Sequence, residues 1–247
     1  GSLLKTGAGT VIWGSAAGTF NLLAGSLIDV QTGGFDAGSS ANENWTANLS
    51  SLNVASGATV SELTYGNAQI DALTGAGSVG LTGNTLTLGV ANTLTNAYNP
   101  TGIATFSGII SGGGSLTKSG IGTQILAGAN TYSVNTTVSG GNLKITGGIY
   151  TDAYRTTVVT VQGGSVLELN TWSYGASQSL GMLAANVGCV VLNNGTIRMT
   201  NTVATSYGRG VTHNGAATHD ESGTALWTID VVNDNVNWTY NNNSIAL

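Results

Sequence analysis

The sequence predicts an all-β protein built as a parallel β-helix, and three observations support this prediction. Glycine accounts for 38 of the 247 residues, only 7% are charged, and there is one proline. Apolar residues occur in short runs bounded by Gly, Asn or Ser, as in residues 166–169 (VLEL), which is typical of strands and turns. No long stretch has the apolar spacing of a helix. Internal repeats then favour a solenoid.

The first repeat is a twelve-residue motif that occurs twice. Residues 1–12 (GSLLKTGAGTVI) align with residues 114–125 (GSLTKSGIGTQI), and eight of the twelve positions are identical. A motif that recurs within one chain indicates a recurring structural unit.

A second, looser repeat consists of an apolar residue, a Gly- or Asn-rich turn and a short alternating strand. It begins at Val54, Val138, Val161 and Leu192, and the last three starts are separated by 23 and 31 residues. A unit of this length accommodates three short strands, which form one rung of a solenoid. Rungs stacked at about 4.8 Å bury one another's inner faces, so the chain is expected to form roughly ten rungs.

Alternation within the strands predicts which side chains face the core. Gly is expected at the corners, with Asn at others, because both tolerate positive φ. The residues predicted to point inward are Leu143, Ile145, Leu167, Leu169, Ile197 and Met199, and those predicted to point to water are Lys144, Glu168 and Arg198.

Residues 106–145 resemble the autotransporter-associated β-strand repeat, and residues 1–14 resemble a partial copy of it. The resemblance implies a right-handed β-helix that is secreted and displayed on a bacterial surface. It implies no activity, because this repeat is a scaffold in proteins of diverse function. Val134-Asn135 stands where the family usually has Gly, and the residues that fit the family pattern are Lys118, Gly120, Gly122, Gly128, Asn130, Thr131, Tyr132, Gly140 and Gly141.

The chain is expected to be a single β-helix domain over residues 1–247, or a segment of a longer β-helix. No Pro-rich or charged linker divides it, and residues 173–247 diverge from the repeat. The start of the chain lacks the features of a signal peptide, which indicates a processed or excised piece. Cys189 is the sole cysteine; it is expected to be a small buried residue, and it excludes a disulfide framework within the chain.

Charge argues against nucleic acid as a partner. The net charge is −5 and the six Lys and Arg residues are scattered, whereas phosphate contacts need clustered cations. No apolar stretch is long enough for a transmembrane helix. No cofactor is expected.

An enzyme is not expected, because the eleven acidic residues are mostly isolated. The best metal-ligating candidates are His213, His219 and Asp220, for which a solvated polar loop is the favoured interpretation because the spacing matches no zinc motif. The segment 230–237 contains Asp and Asn ligands suited to Ca²⁺ but lacks the Gly and terminal Glu of a calcium-binding loop. A structural turn is favoured there.

Aromatic side chains admit two interpretations, a sugar-stacking strip or packing beneath loops, and packing is favoured because their spacing shows no single row. Six Asn-x-Ser/Thr sequons make glycosylation possible without proving it, since chance explains several. The sequons begin at Asn44, Asn48, Asn135, Asn194, Asn237 and Asn242, and the aromatic residues are Trp13, Trp45, Tyr150, Tyr154, Trp172, Tyr174, Tyr207, Trp227 and Trp238.

The leading hypothesis is a non-catalytic structural or adhesive module of a bacterial surface protein or fibre. Unpaired rung edges either continue into more repeats or pair with another copy, so self-association or a longer parent chain is expected. The alternatives are carbohydrate binding through exposed aromatic residues and, less favoured, a polysaccharide-active β-helix enzyme.

Overall fold

The structure is a computed structural model that describes most of the first 200 residues. These are residues 1–13, 19–38, 45–61, 63, 66–89, 101–147, 158–169 and 190–200. Beyond them it describes the backbone of short strands within residues 205–240, and for Met199 it describes the backbone alone.

Twenty-seven strands and no helix occur in the described part of the chain. Each strand has two to five residues, which suits one side of a narrow rod. In chain order they are β1 Ser2–Lys5, β2 Thr10–Ile12, β3 Leu27–Val30, β4 Gly34–Asp36, β5 Ser51–Val54, β6 Thr59–Ser61, β7 Ala68–Ile70, β8 Leu73–Gly75, β9 Ser78–Leu81, β10 Thr85–Leu88, β11 Ile103–Phe106, β12 Ile109–Gly112, β13 Ser115–Lys118, β14 Thr123–Leu126, β15 Thr131–Tyr132, β16 Thr136–Val138, β17 Asn142–Ile145, β18 Val159–Gln162, β19 Val166–Leu169, β20 Val190–Asn193, β21 Thr196–Met199, β22 Thr205–Ser206, β23 Val211–Asn214, β24 Ala217–Glu221, β25 Trp227–Thr228, β26 Asn233–Asp234 and β27 Trp238–Tyr240.

The strands form three long parallel sheets, and the chain visits them in turn. Sheet I has eleven strands in the order β1-β3-β5-β8-β11-β14-β17-β19-β21-β24-β27. Sheet II has six, β2-β4-β6-β9-β12-β15, and sheet III has eight, β7-β10-β13-β16-β18-β20-β23-β26. A further pair joins β22 to β25. Successive strands of one sheet therefore belong to successive rungs, which confirms the predicted parallel β-helix, and the eleven strands of sheet I agree with roughly ten rungs.

The strand register explains the second repeat. Val138 pairs with Val161, and Val161 pairs with Leu192, so three of the four predicted starts form one column in sheet III. The fourth start, Val54, ends β5 in sheet I and pairs with Val30. It therefore occupies a different corner of the rod, although the local sequence is alike.

The core lies between the three sheets and is filled by columns of inward side chains. In sheet I, Phe106, Leu126, Ile145 and Leu169 follow one another in register, and all are fully buried. Each such side chain contributes about 2 kcal/mol through burial. The predicted inward positions are confirmed for Leu143, Ile145, Leu167, Leu169 and Ile197.

Two corner positions show why Gly and Asn recur. A Cβ atom at Gly128 would overlap the carbonyl oxygen of Gly108 in the rung below, so no larger residue fits without moving a rung. Asn194 has φ of 57° at the corner after β20, as expected for Asn in the left-handed region. The described part contains no helix able to cross a membrane.

Candidate functional site

The first candidate site is a buried lysine at a corner of the rod. Lys118 ends β13 and is fully buried. Its Nζ donates hydrogen bonds to the carbonyl oxygens of Ser119 at 2.6 Å, Gly120 at 3.1 Å and Gly140 at 3.1 Å. The first two acceptors belong to its own corner and the third to the next rung, so the ammonium group joins two rungs.

The rungs below Lys118 complete this environment. Asp71, which is also buried, follows β7 at the same corner two rungs earlier, and Gly89 follows β10 directly beneath. A Cβ at Gly89 would lie 3.2 Å from the Lys118 Nζ and would overlap the Ser119 carbonyl oxygen. Burial lowers the pKa of Lys118 to about 8, against the opposing effect of the Asp71 charge.

Lys5 forms the same arrangement at another corner. Its Nζ donates to the carbonyl oxygens of Thr6 at 3.1 Å, Gly7 at 2.7 Å and Thr32 at 2.9 Å. The acceptors again comprise two from its own corner and one from the next rung. Lys5 lies between sheets I and II, whereas Lys118 lies between sheets III and I. The twelve-residue motif therefore encodes a corner, which we call the lysine corner, independently of the side of the rod.

The glycines of the repeat shape this corner. Gly120 and Gly122 have positive φ. Gly141, also at positive φ, stacks so closely on this corner that a Cβ would overlap the Gly122 carbonyl oxygen and lie 2.8 Å from that of Gly120. With Gly140 supplying a carbonyl to the lysine, four of the five predicted glycines lie within one stack.

The remaining repeat residues lie along β15 and the segment before it. Asn130 is buried; its Oδ1 accepts from the Ile110 backbone N–H at 2.9 Å and its Nδ2 donates to the Gly128 carbonyl at 3.0 Å. Tyr132 is buried with its hydroxyl 2.7 Å from the Thr136 hydroxyl, and burial raises its pKa. Thr131 is exposed. Asn130 therefore connects two rungs, whereas Tyr132 joins neighbouring strands of one rung.

A charged ladder runs along the outer face of sheet I. Lys144, Glu168 and Arg198 follow one another in register. Glu168 accepts from Lys144 Nζ and, at 3.0 Å, from Asn142 Nδ2; Arg198 lies 3.9 Å away. Glu168 lies on the outer face, as the alternation predicts, but these neighbours leave it only 8% exposed. Burial alone would raise the pKa of Glu168, but the hydrogen bonds and the two positive charges hold it below its ordinary value.

A buried glutamine repairs a gap in sheet I. The adjacent strands β8 and β11 pair only at Gly75 and Phe106. Gln124 reaches across the gap from the next strand: its Oε1 accepts from the Leu73 N–H at 3.1 Å and its Nε2 donates to the Leu73 carbonyl at 2.9 Å. The side-chain amide thus takes the place of missing backbone partners.

Aromatic residues pack together near the first rungs. Trp45 is buried, stacks on Phe20 with ring centroids 4.0 Å apart, and donates from its indole N–H to the Ala37 carbonyl at 3.1 Å. Trp13 meets the edge of Phe20 at 4.8 Å and is 39% exposed. Trp45 is therefore a core residue, whereas Trp13 retains an open face.

The predicted metal ligands lie on two strands. His213 belongs to β23 of sheet III, and His219 and Asp220 belong to β24 of sheet I. The favoured loop interpretation is wrong, because all three residues lie within strands, and only residues 215–216 separate β23 from β24. The side chains lie outside the described residues, so the metal site stays a prediction; elsewhere in the described part, no three His, Cys, Asp or Glu residues cluster as metal ligands.

Other predictions fall partly outside the described part. Within the calcium candidate segment 230–237, Asn233–Asp234 form strand β26 and not a turn. The Asn48 sequon is inaccessible because Asn48 is buried and hydrogen-bonded through both amide atoms. The residues outside the described part are Asn44, Tyr150, Tyr154, Trp172, Tyr174, Cys189, Tyr207, Asp230, Asn237 and Asn242.

Sequence reasoning missed the burial of Lys5, Lys118, Asp71 and Gln124. One signal was present, because Lys118 stands two residues after Leu116 in β13, at an inward position of the alternation.

Comparison with known proteins adds one relative. No protein-family model matches the chain, and no solved structure matches it. The adhesin BmaC autotransporter of Brucella suis biovar 1 (strain 1330) is 31% identical over 204 residues. This chain is related in sequence to an autotransporter adhesin. The alignment covers 81% of the chain but 5% of the relative, so this autotransporter-related chain spans about a twentieth of the adhesin's length. The resemblance of residues 106–145 to one particular repeat remains a prediction.

Proposed function

We propose that this chain is a non-catalytic, adhesive structural module displayed on the outside of a bacterial cell. The observation that carries the proposal is the combination of uninterrupted parallel rungs with sequence similarity to an autotransporter adhesin over 81% of the chain. A stacked rod holds surface residues at fixed spacing far from its anchor, which suits adhesion.

The chemistry of the described residues supports a scaffold. Lys118 and Lys5 donate to backbone carbonyls, and Glu168 is neutralised by Lys144 and Arg198. These ionisable groups form hydrogen bonds and ion pairs between rungs, whereas a catalytic group has to face a substrate. Among the described strands, β1 pairs with β3 alone and β2 with β4 alone, and we propose that the rod continues into further repeats or associates with another copy.

The proposal is tested by displaying the 247-residue chain on non-adherent bacteria. We expect increased adherence to cell monolayers and matrix-coated surfaces relative to cells that carry the export machinery alone. The matched control is Gly128→Val, which disrupts rung stacking, compared at equal surface amount. Equal adherence of the chain and this control, or hydrolysis in a screen of acidic and neutral polysaccharides, would refute the proposal.

A further inference from the structure

Two polar segments of the sequence, residues 213–221 and 230–237, meet in neighbouring rungs of the rod. His213 belongs to β23 and pairs in register with Asp234, which belongs to β26 of the next rung. Strands stacked in this way lie about 4.8 Å apart, which brings the two residues close enough to share one ligand. The strand β24, which follows β23 in the same rung, contributes His219 and Glu221.

His213 occupies a register column of sheet III that is buried in the rungs before it. In the three preceding rungs this column holds Val138, Val161 and Leu192, which are all fully buried. Asp234 continues the same column in the following rung. The register therefore places a histidine and an aspartate at core positions of sheet III.

Two residues of β24 occupy core columns of sheet I. His219 lies in the column that holds Leu167 and Ile197 in the two preceding rungs, and both of these are buried. Glu221 lies in the column of the buried Leu169. Residues two apart in a strand share one face, so His219 and Glu221 both lie at core positions, on the sheet that follows His213 across the corner.

Asp220 lies between these two residues in sequence but on the opposite face. It pairs in register with Arg198, and so it continues the outer column that contains Lys144 and Glu168. Successive residues of a strand alternate between the two faces of a sheet. The sheet therefore separates Asp220 from His219, although the two are adjacent in sequence.

Ionisable residues at core positions need a partner, because an unpaired buried charge costs several kcal/mol. Lys118 occupies the column of His213 four rungs earlier, and it is matched there by three backbone carbonyl oxygens. Carbonyl oxygens suit an ammonium group, which only donates. Imidazole nitrogens and carboxylate oxygens instead present lone pairs, which a divalent cation accepts, and two carboxylates balance its two positive charges.

We propose that the rod binds a Zn²⁺ ion in its interior, between sheets I and III. The ligands are two imidazole nitrogens and two carboxylate oxygens, those of His213, His219, Glu221 and Asp234. Four nitrogen and oxygen ligands suit the tetrahedral coordination of Zn²⁺, and they join β23, β24 and β26 across two rungs. The ion takes the place here of the apolar contacts that hold the preceding rungs together.

Isothermal titration calorimetry of the 247-residue chain with Zn²⁺, after a chelator has removed bound metals, tests the proposal. We expect one Zn²⁺ per chain with a submicromolar dissociation constant. His213→Leu introduces the residue type that Leu192 supplies in the same column, so this variant should keep its β circular dichroism and lose the binding. Glu221→Gln and Asp234→Asn should each weaken binding at least about tenfold.

Asp220→Asn is the matched control, because it makes the same acid-to-amide change on the outer face of β24 and should leave the dissociation constant unchanged. The absence of Zn²⁺ binding by the folded native chain would overturn the proposal, as would a loss of affinity in Asp220→Asn as large as that in Asp234→Asn. Zn²⁺ should also raise the thermal unfolding temperature of the native chain but not that of His213→Leu. An equal rise in both proteins would overturn the proposal, because the ion then binds elsewhere.

Discussion

Replacing Lys118 by methionine removes the ammonium group of the lysine corner and keeps most of the apolar stem. Three carbonyl oxygens, those of Ser119, Gly120 and Gly140, lose their donor. An unsatisfied buried acceptor costs about 2 kcal/mol, or about 6 kcal/mol for the three. The pKa of Lys118, lowered to about 8 from an ordinary 10.5, corresponds to a net cost of about 3 kcal/mol for holding the charged form in the folded protein, which methionine avoids. The expected net loss of unfolding free energy is therefore about 3 kcal/mol.

Equilibrium urea unfolding at pH 7, followed by far-ultraviolet circular dichroism, measures this loss. The matched control is Arg198→Met, which removes a partly exposed cation 3.9 Å from Glu168 on the outer face of sheet I and is expected to cost about 1 kcal/mol or less. A loss for Lys118→Met no larger than that of the control would refute the account of the lysine corner.

Three further perturbations follow from the same contacts. Because the folded-state pKa of Lys118 is lowered to about 8, the native protein releases the Lys118 proton at a lower pH than the unfolded chain does. The difference in unfolding free energy between the native chain and Lys118→Met should therefore grow by up to about 3 kcal/mol as pH rises from 8 towards 10.5. A difference that stays constant over this pH range in urea unfolding would contradict the prediction. Gly108→Ala places a Cβ against a backbone carbonyl of the rung below and should cost at least about 3 kcal/mol in thermal unfolding, whereas Gly113→Ala, in open space, should stay within about 0.5 kcal/mol. Gln124→Leu leaves the Leu73 N–H and carbonyl without partners and should cost about 3 kcal/mol, with faster hydrogen exchange at Leu73; an unchanged exchange rate would show that the amide does not repair the sheet.

The stacking of rungs was predictable because each rung repeats the same kind of turn and strand, so the sequence has a regular repeat length. The spacing of Val138, Val161 and Leu192 is the spacing of one column of sheet III, since turn chemistry and inward apolar residues recur once per rung. The same local signal at Val54 belongs to another corner. A turn sequence therefore indicates that the chain turns a corner, but it does not indicate which of the three corners of the rod this is.

The polar contacts were not predictable from local sequence. Gln124 is buried because β8 and β11 separate at one end of their ladder, a gap produced by strands distant in sequence. Glu168 is shielded because the rungs above and below supply Arg198 and Lys144 at the same register position. In each case the deciding partner lies on another rung, so its effect appears only once the register is known.

Distances between spin labels on the outer face of sheet III test the parallel stacking most directly. Gln69, Thr87, Thr117, Thr137, Thr160 and Val191 occupy successive rungs at one register position. Label pairs that join Val191 to Thr117, Thr87 and Gln69 should give separations of about 14, 19 and 24 Å, rising by about 4.8 Å per rung. Distances that do not increase in even steps with rung number would contradict the stacked-rung account.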